Sequence, residues 1–138
     1  MKVKIILLIC FASFSFIYLK AQNVYSCFQN DKNQNLKISV CFDKNDRAIY
    51  VKYKGNEETI PVFYSKKEVT PNNGGHPSAY VFITYIEKYR EKVTGKYVFS
   101  NAGIGGLDVT YYRAKDNKEF YFSMIPGTAR NQDEPCFL

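Results

Sequence analysis

The sequence predicts an all-β fold: a single antiparallel meander of about eight strands closed as a small β-barrel, with a β-sandwich as the alternative closure. Three observations predict it. Apolar and polar residues alternate with period two over Leu36–Phe42, Ile49–Tyr53 and again from Leu107 to Met124, the mark of a half-buried strand. Twelve Tyr and eleven Phe among 138 residues, with no Trp, supply side chains that suit a pleated, half-buried surface. Short clusters of Asn, Asp, Gly and Lys separate the apolar runs, as hairpin turns do.

The elements follow in order. Residues 1–21 have the layout of a signal peptide: Lys2 and Lys4, an apolar run from Ile5 to Tyr18, then the small residue Ala21. The run is shorter than the roughly 20 residues that span a bilayer, so no stable membrane anchor is expected. Ile9 stands before Cys10 where a lipoprotein signal has a small residue, which excludes lipidation there. The expected mature chain is one β domain over 22–138, exported to the periplasm or beyond the cell. Three of the nineteen basic residues and none of the thirteen acidic ones lie in 1–21, so the remainder carries a net +3. That charge favours solubility and is no nucleic-acid footprint.

The first strand covers Asn23–Gln29 and the polar turn after it Asn30–Asn35. The second places Leu36, Ile38, Val40 and Phe42 on one face, the third Ile49, Val51 and Tyr53, and the fourth Ile60, Val62 and Tyr64. Pro61 cannot donate to a ladder and marks an edge or a bulge. Val69–Ser78 reads as a long loop. Ala79–Arg90 reads as a strand that turns helical near Glu87 in one alternative. The sixth strand groups Val93, Gly95, Tyr97 and Phe99; Asn101–Gly106 is a second loop; Leu107, Val109 and Tyr111 define the seventh strand, and Phe120, Phe122 and Met124 the eighth.

Past the signal the cysteines are Cys27, Cys41 and Cys136. An exported chain admits a disulfide, and an odd count leaves one thiol. A hairpin turning near Lys32 sets Cys27 opposite positions 37–39, leaving Cys41 roughly 7–13 Å along the strand. A disulfide needs Cα atoms within about 7 Å. Cys27–Cys136 is therefore preferred over Cys27–Cys41. It would tie the ends of the domain together at the closure seam, with up to roughly 4–5 kcal/mol from loop closure, and would leave Cys41 free on the outer face.

No residue pattern points to catalysis. His76 is the only histidine, and a metal centre needs three or four ligands. The glycines Gly103, Gly105 and Gly106 precede a strand, whereas a phosphate cradle precedes a helix N-terminus. Basic and aromatic residues such as Lys52, Lys54, Tyr85 and Lys96 read as outward strand faces. Neither metal, cofactor, nucleic acid nor enzymatic activity is expected.

Val24-Tyr25-Ser26-Cys27 near the start and the near-terminal Cys136 resemble the membrane-bound inhibitors of C-type lysozyme. The resemblance implies a small exported eight-stranded barrel whose end cysteines pair. It also implies a lysozyme-binding segment, Ser-Gly-x-x-Tyr in that family. The nearest match is Thr94-Gly95-Lys96-Tyr97, with Thr for Ser and one spacer fewer. The expected function is an exported, non-catalytic binding module acting on a protein partner outside the inner membrane, a lysozyme on the family's precedent. The alternative is a structural or interaction protein of a bacterial envelope with no small-molecule site. The expected contact residues are Thr94, Gly95, Tyr97, Asn101 and Gly103, since loops on a rigid scaffold carry binding.

Overall fold

A computed structural model describes residues 23–71, 79–101, 106–128 and 136. The signal-peptide residues, His76, Gly103 and Gly105 lie outside the described residues. Eight strands run β1 (Val24–Asn30), β2 (Lys37–Phe42), β3 (Ala48–Tyr53), β4 (Thr59–Thr70), β5 (Tyr80–Tyr89), β6 (Lys92–Asn101), β7 (Leu107–Arg113) and β8 (Glu119–Met124). Each pairs antiparallel with the next, and β1 closes on β8, giving a barrel and not a sandwich. Closure removes the open sheet edges an eight-strand meander would otherwise present.

The period-two pattern sends one residue of every pair inside. Phe28, Ile38, Val40, Val51, Tyr97, Phe99, Val109 and Phe122 fill the core. Phe99 meets Phe28, Phe42 and Tyr85 edge-on at 6.3, 5.9 and 5.3 Å between ring centres, the arrangement aromatic quadrupoles favour. The closing ladder is short, pairing Phe28 with Met124, Gln29 with Ser123 and Asn30 with Phe122. Asn30 reinforces it: its side-chain amide donates to the Tyr121 carbonyl at 2.9 Å, while its carbonyl oxygen accepts from the Asn33 amide at 2.8 Å.

Cys27 stands opposite Ser39 and is bonded to Cys136, with Cα atoms 5.7 Å apart. The tail is thereby fastened to β1 beside the seam, where the Ile125 amide donates to the Cys27 carbonyl at 2.8 Å. Cys41 is a free thiol, and its strand phase sets it on the outer face, but it is fully buried there. Its neighbours across the ladders are Tyr25 and Tyr50, whose hydroxyls bond each other at 3.0 Å. Burial raises the thiol's pKa.

Several details of the sequence reading are overturned, two of them by bulges. Phe42 pairs with Ala48 while Cys41 pairs with Tyr50, so Ile49 is the extra residue; it turns out to solvent and Ala48 takes the core position. Tyr64 keeps the phase of Val62, pairing with Tyr85 and meeting its ring edge-on at 6.1 Å, yet it is exposed, and a second bulge falls beyond it. A third, between Glu87 and Lys88, leaves Thr94 unpaired between Gly95 and Val93 and exposes Val93. Finally, Val69 and Thr70 pair with Val81 and Tyr80 in strand, not loop, and Tyr85, expected on an outward face, is buried in the core because it shares the phase of Ile83 and Glu87. Pro61 is no edge residue of an open sheet; the β3–β4 ladder stops at it, opposite Tyr50, where its missing N–H ends the pairing.

Candidate functional site

The barrel has two mouths. One is bordered by the β1–β2, β3–β4, β5–β6 and β7–β8 turns, the other by the β2–β3 turn and the ends of β5, β6 and β7. Ionisable chemistry gathers in the first. β5 is strand throughout, and period two carries the face of Ile83 and Tyr85 on to Glu87, which points inward and is 4% exposed.

Three hydroxyls close on its carboxylate. Oε1 accepts from Thr94 Oγ1 at 2.6 Å and from the Tyr111 hydroxyl at 2.8 Å; Oε2 accepts from the Tyr97 hydroxyl at 2.6 Å. The Thr94 bulge makes the first of these contacts, turning that hydroxyl inward beside Gly95. Gly95 makes room for Tyr111: a β-carbon at that position would sit 2.5 Å from the phenol oxygen. The Tyr97 and Tyr111 rings lie 4.6 Å apart. A fourth phenol, Tyr53, reaches across the barrel and lies 2.9 Å from the Tyr97 hydroxyl. The single Tyr97 proton is given to Glu87, so Tyr53 is the donor in that pair. Burial raises the pKa of each phenol: Tyr53 is pushed up to about 12, and Tyr97 and Tyr111 also lie well above the ordinary phenol value.

Above this cluster opens a cavity of about 310 Å³, walled by Leu36, Tyr53, Ile60, Tyr111, Phe120 and Phe122, with Glu87 and Arg113 also on its surface. A second recess of about 270 Å³ beside it shares Ile60 and Glu87. Glu87 thus floors both. Arg113 contributes little free positive charge, because Asp116 grips its guanidinium through Nε at 2.9 Å and a terminal nitrogen at 2.6 Å. The other ion pair among the described residues, Lys66–Glu68, also leaves Glu87 out. No cluster of three or more metal-ligating side chains occurs among the described residues.

The chain matches no protein family, no curated protein and no solved structure.

The expected contact residues that are described, Thr94, Gly95, Tyr97 and Asn101, do not form one surface. Thr94, Gly95 and Tyr97 belong to the Glu87 mouth, yet Tyr97 is fully buried and Gly95 nearly so. Tyr97 holds the carboxylate in place and offers a partner no surface. Asn101, seven residues beyond Thr94 and roughly 23 Å along the strand, borders a separate cavity of about 200 Å³ at the opposite mouth. Sequence reasoning missed Glu87, Tyr53 and Tyr111 as one group. A signal for the first was present: a lone acid in phase with Val81, Ile83 and Tyr85.

Among the described residues no helix is long and apolar enough to cross a membrane. The disulfide is of the kind that persists in a non-reducing compartment.

Proposed function

We propose that this chain is an exported, non-catalytic binding barrel that engages a protein partner outside the inner membrane through the mouth over Glu87. The observation that carries the reading is the cavity of about 310 Å³ with four aromatic walls and a buried carboxylate in its floor. Largely apolar concavities with a few converging polar groups are what ligands occupy. The closed barrel and the Cys27–Cys136 link supply the rigid frame such a site needs. The cluster's hydroxyl protons are committed to Glu87 and Tyr97, and phenols raised by burial are poor bases and nucleophiles at neutral pH. That arrangement supports holding a ligand over transforming one.

Export rests on the pattern of residues 1–21 together with the disulfide. The resemblance at Val24–Cys27 and Cys136 makes a C-type lysozyme the first partner to test. The test is surface plasmon resonance of residues 22–138 over immobilised lysozyme, alongside a lysozyme inhibition assay. A complex weakened by Ile60→Asp, at the rim shared by both recesses, is the expected result. No binding at large molar excess removes lysozyme as the partner. Turnover of any substrate that depends on Glu87 removes the non-catalytic reading.

A further inference from the structure

We propose that the mouth over Glu87 takes a primary ammonium group on a short apolar chain, supplied by a free alkylamine or by a lysine side chain. The inference rests on the reading above for the location of the site and adds the chemistry of what enters it.

The hydrogen-bond inventory decides the class. Thr94 and Tyr111 spend their protons on Oε1 of Glu87, Tyr97 spends its proton on Oε2, and Tyr53 spends its own on Tyr97. The Arg113 guanidinium is turned to Asp116. What remains is acceptor capacity. A carboxylate offers about four lone-pair sites, of which three are filled, and the Tyr53 oxygen keeps lone pairs as well. A carboxylate or phosphate ligand would find no free hydroxyl donor in this cluster. A neutral alcohol would supply one proton but bring an unsatisfied acceptor and no charge. An ammonium group carries three donors and no acceptor.

Charge and shape agree with that choice. Glu87 is buried among neutral hydroxyls, with no ion pair to it among the described residues. Burying a charge without an opposite one is costly, so a cation arriving from outside gains accordingly. Oε1 already holds two donors, which leaves no two-point edge for a guanidinium fork. Leu36 and Ile60 suit an alkyl stem, and the rings of Tyr53 and Tyr111 suit a cation beside them; Phe120 already carries Arg113 and Lys118 over its ring, at 5.3 and 5.5 Å from its centre. A cavity of about 310 Å³ lies at the small end of ligand sites, the size for a stem of a few carbons.

The experiment is an amide-resolved NMR titration of residues 22–138 with n-butylammonium, with n-butanol as the neutral isostere. Saturable shifts at Thr94, Gly95 and Arg113, with n-butylammonium about tenfold or more tighter than n-butanol, are expected for a charge-assisted contact. Glu87→Gln should erase that preference. If Glu87→Gln does not fold, the ammonium-to-alcohol ratio on the unaltered protein still decides. Equal or tighter binding of n-butanol, or no shift at these amides well above millimolar n-butylammonium, overturns the inference. A capped lysine that binds as well as n-butylammonium, and loses binding on Nε-acetylation, assigns the source to a protein side chain; exclusion of the capped lysine assigns it to a free amine. Failed lysozyme capture with amine binding intact removes only the partner, and the converse removes only the ammonium.

Discussion

Gly95→Ala is the sharpest probe of how this barrel is packed. A methyl at that position would meet the Tyr111 ring, lying 2.5 Å from its hydroxyl oxygen and 2.6 Å from Cζ, well inside van der Waals contact. The ring cannot easily retreat. It is pinned by its hydrogen bond to Glu87 at 2.8 Å and stacked between Tyr97 and Phe120 at 4.6 and 6.0 Å. Overpacking of this kind costs about 1–3 kcal/mol. Displacing the phenol from a buried carboxylate adds about 1.5–3 kcal/mol if the bond is lost outright. Replacing Gly returns about 0.4–1 kcal/mol by restricting the unfolded chain. The net expectation is a loss of about 1.5–5.5 kcal/mol, or roughly 6–22 °C in Tm for a domain of this size. Guanidinium unfolding of the disulfide-intact chain measures it, with a lower midpoint and an unchanged m-value. The double variant with Tyr111→Leu supplies the control: removing the ring should cancel most of the Gly95→Ala penalty, a favourable coupling. A Gly95→Ala variant within about 0.5 kcal/mol of the parent would refute the packing argument, and additivity with Tyr111→Leu would show that the ring is not what the methyl meets.

Other outcomes are equally direct. Tyr53, Tyr97 and Tyr111 hold their protons more tightly in the folded barrel than unfolded phenols do. Their stabilisation is therefore complete below the unfolded phenol value, pH about 10, and is lost as pH rises through about 12, the folded value of Tyr53. Phenolate absorbance should accordingly appear in a normal phase and a late one that coincides with loss of the barrel's circular dichroism; a single normal phase counts against the buried cluster. Cys41 should react with a thiol reagent only after denaturation, since it is fully buried, and non-reducing peptide maps should show Cys27 linked to Cys136. Replacing both linked cysteines by Ser should cost about 3–5 kcal/mol, because the bridge closes a loop with a sequence separation of 109; an unchanged denaturation midpoint would deny the link a structural role. Ser26 is fully buried with its Oγ lacking a hydrogen-bond partner among the described residues, so Ser26→Ala should be neutral or stabilise by up to about 1 kcal/mol, and a large loss would reveal a hidden partner.

The sequence by itself determined the strand count, the antiparallel order and most of the inward face. Period two is a local property, and an alternation such as Leu36–Phe42 has one way to bury its apolar half. It also favoured the Cys27–Cys136 disulfide over Cys27–Cys41, because a hairpin turn limits the register and so the distance between Cys27 and Cys41; the structure shows the link, with Cys27 opposite Ser39. The tertiary structure decided the bulges and the mouth. Ile49 and Val93 carry inward phase in the sequence and lie outside, because an extra residue in a strand breaks the alternation there, and the local pattern does not show where that residue falls. The same break brings Thr94 to Glu87. The group around that carboxylate comes from β3, β5, β6 and β7, up to 58 positions apart between Tyr53 and Tyr111. Only closure of the barrel sets those strands face to face across an interior, and no pairwise spacing along the chain encodes that proximity.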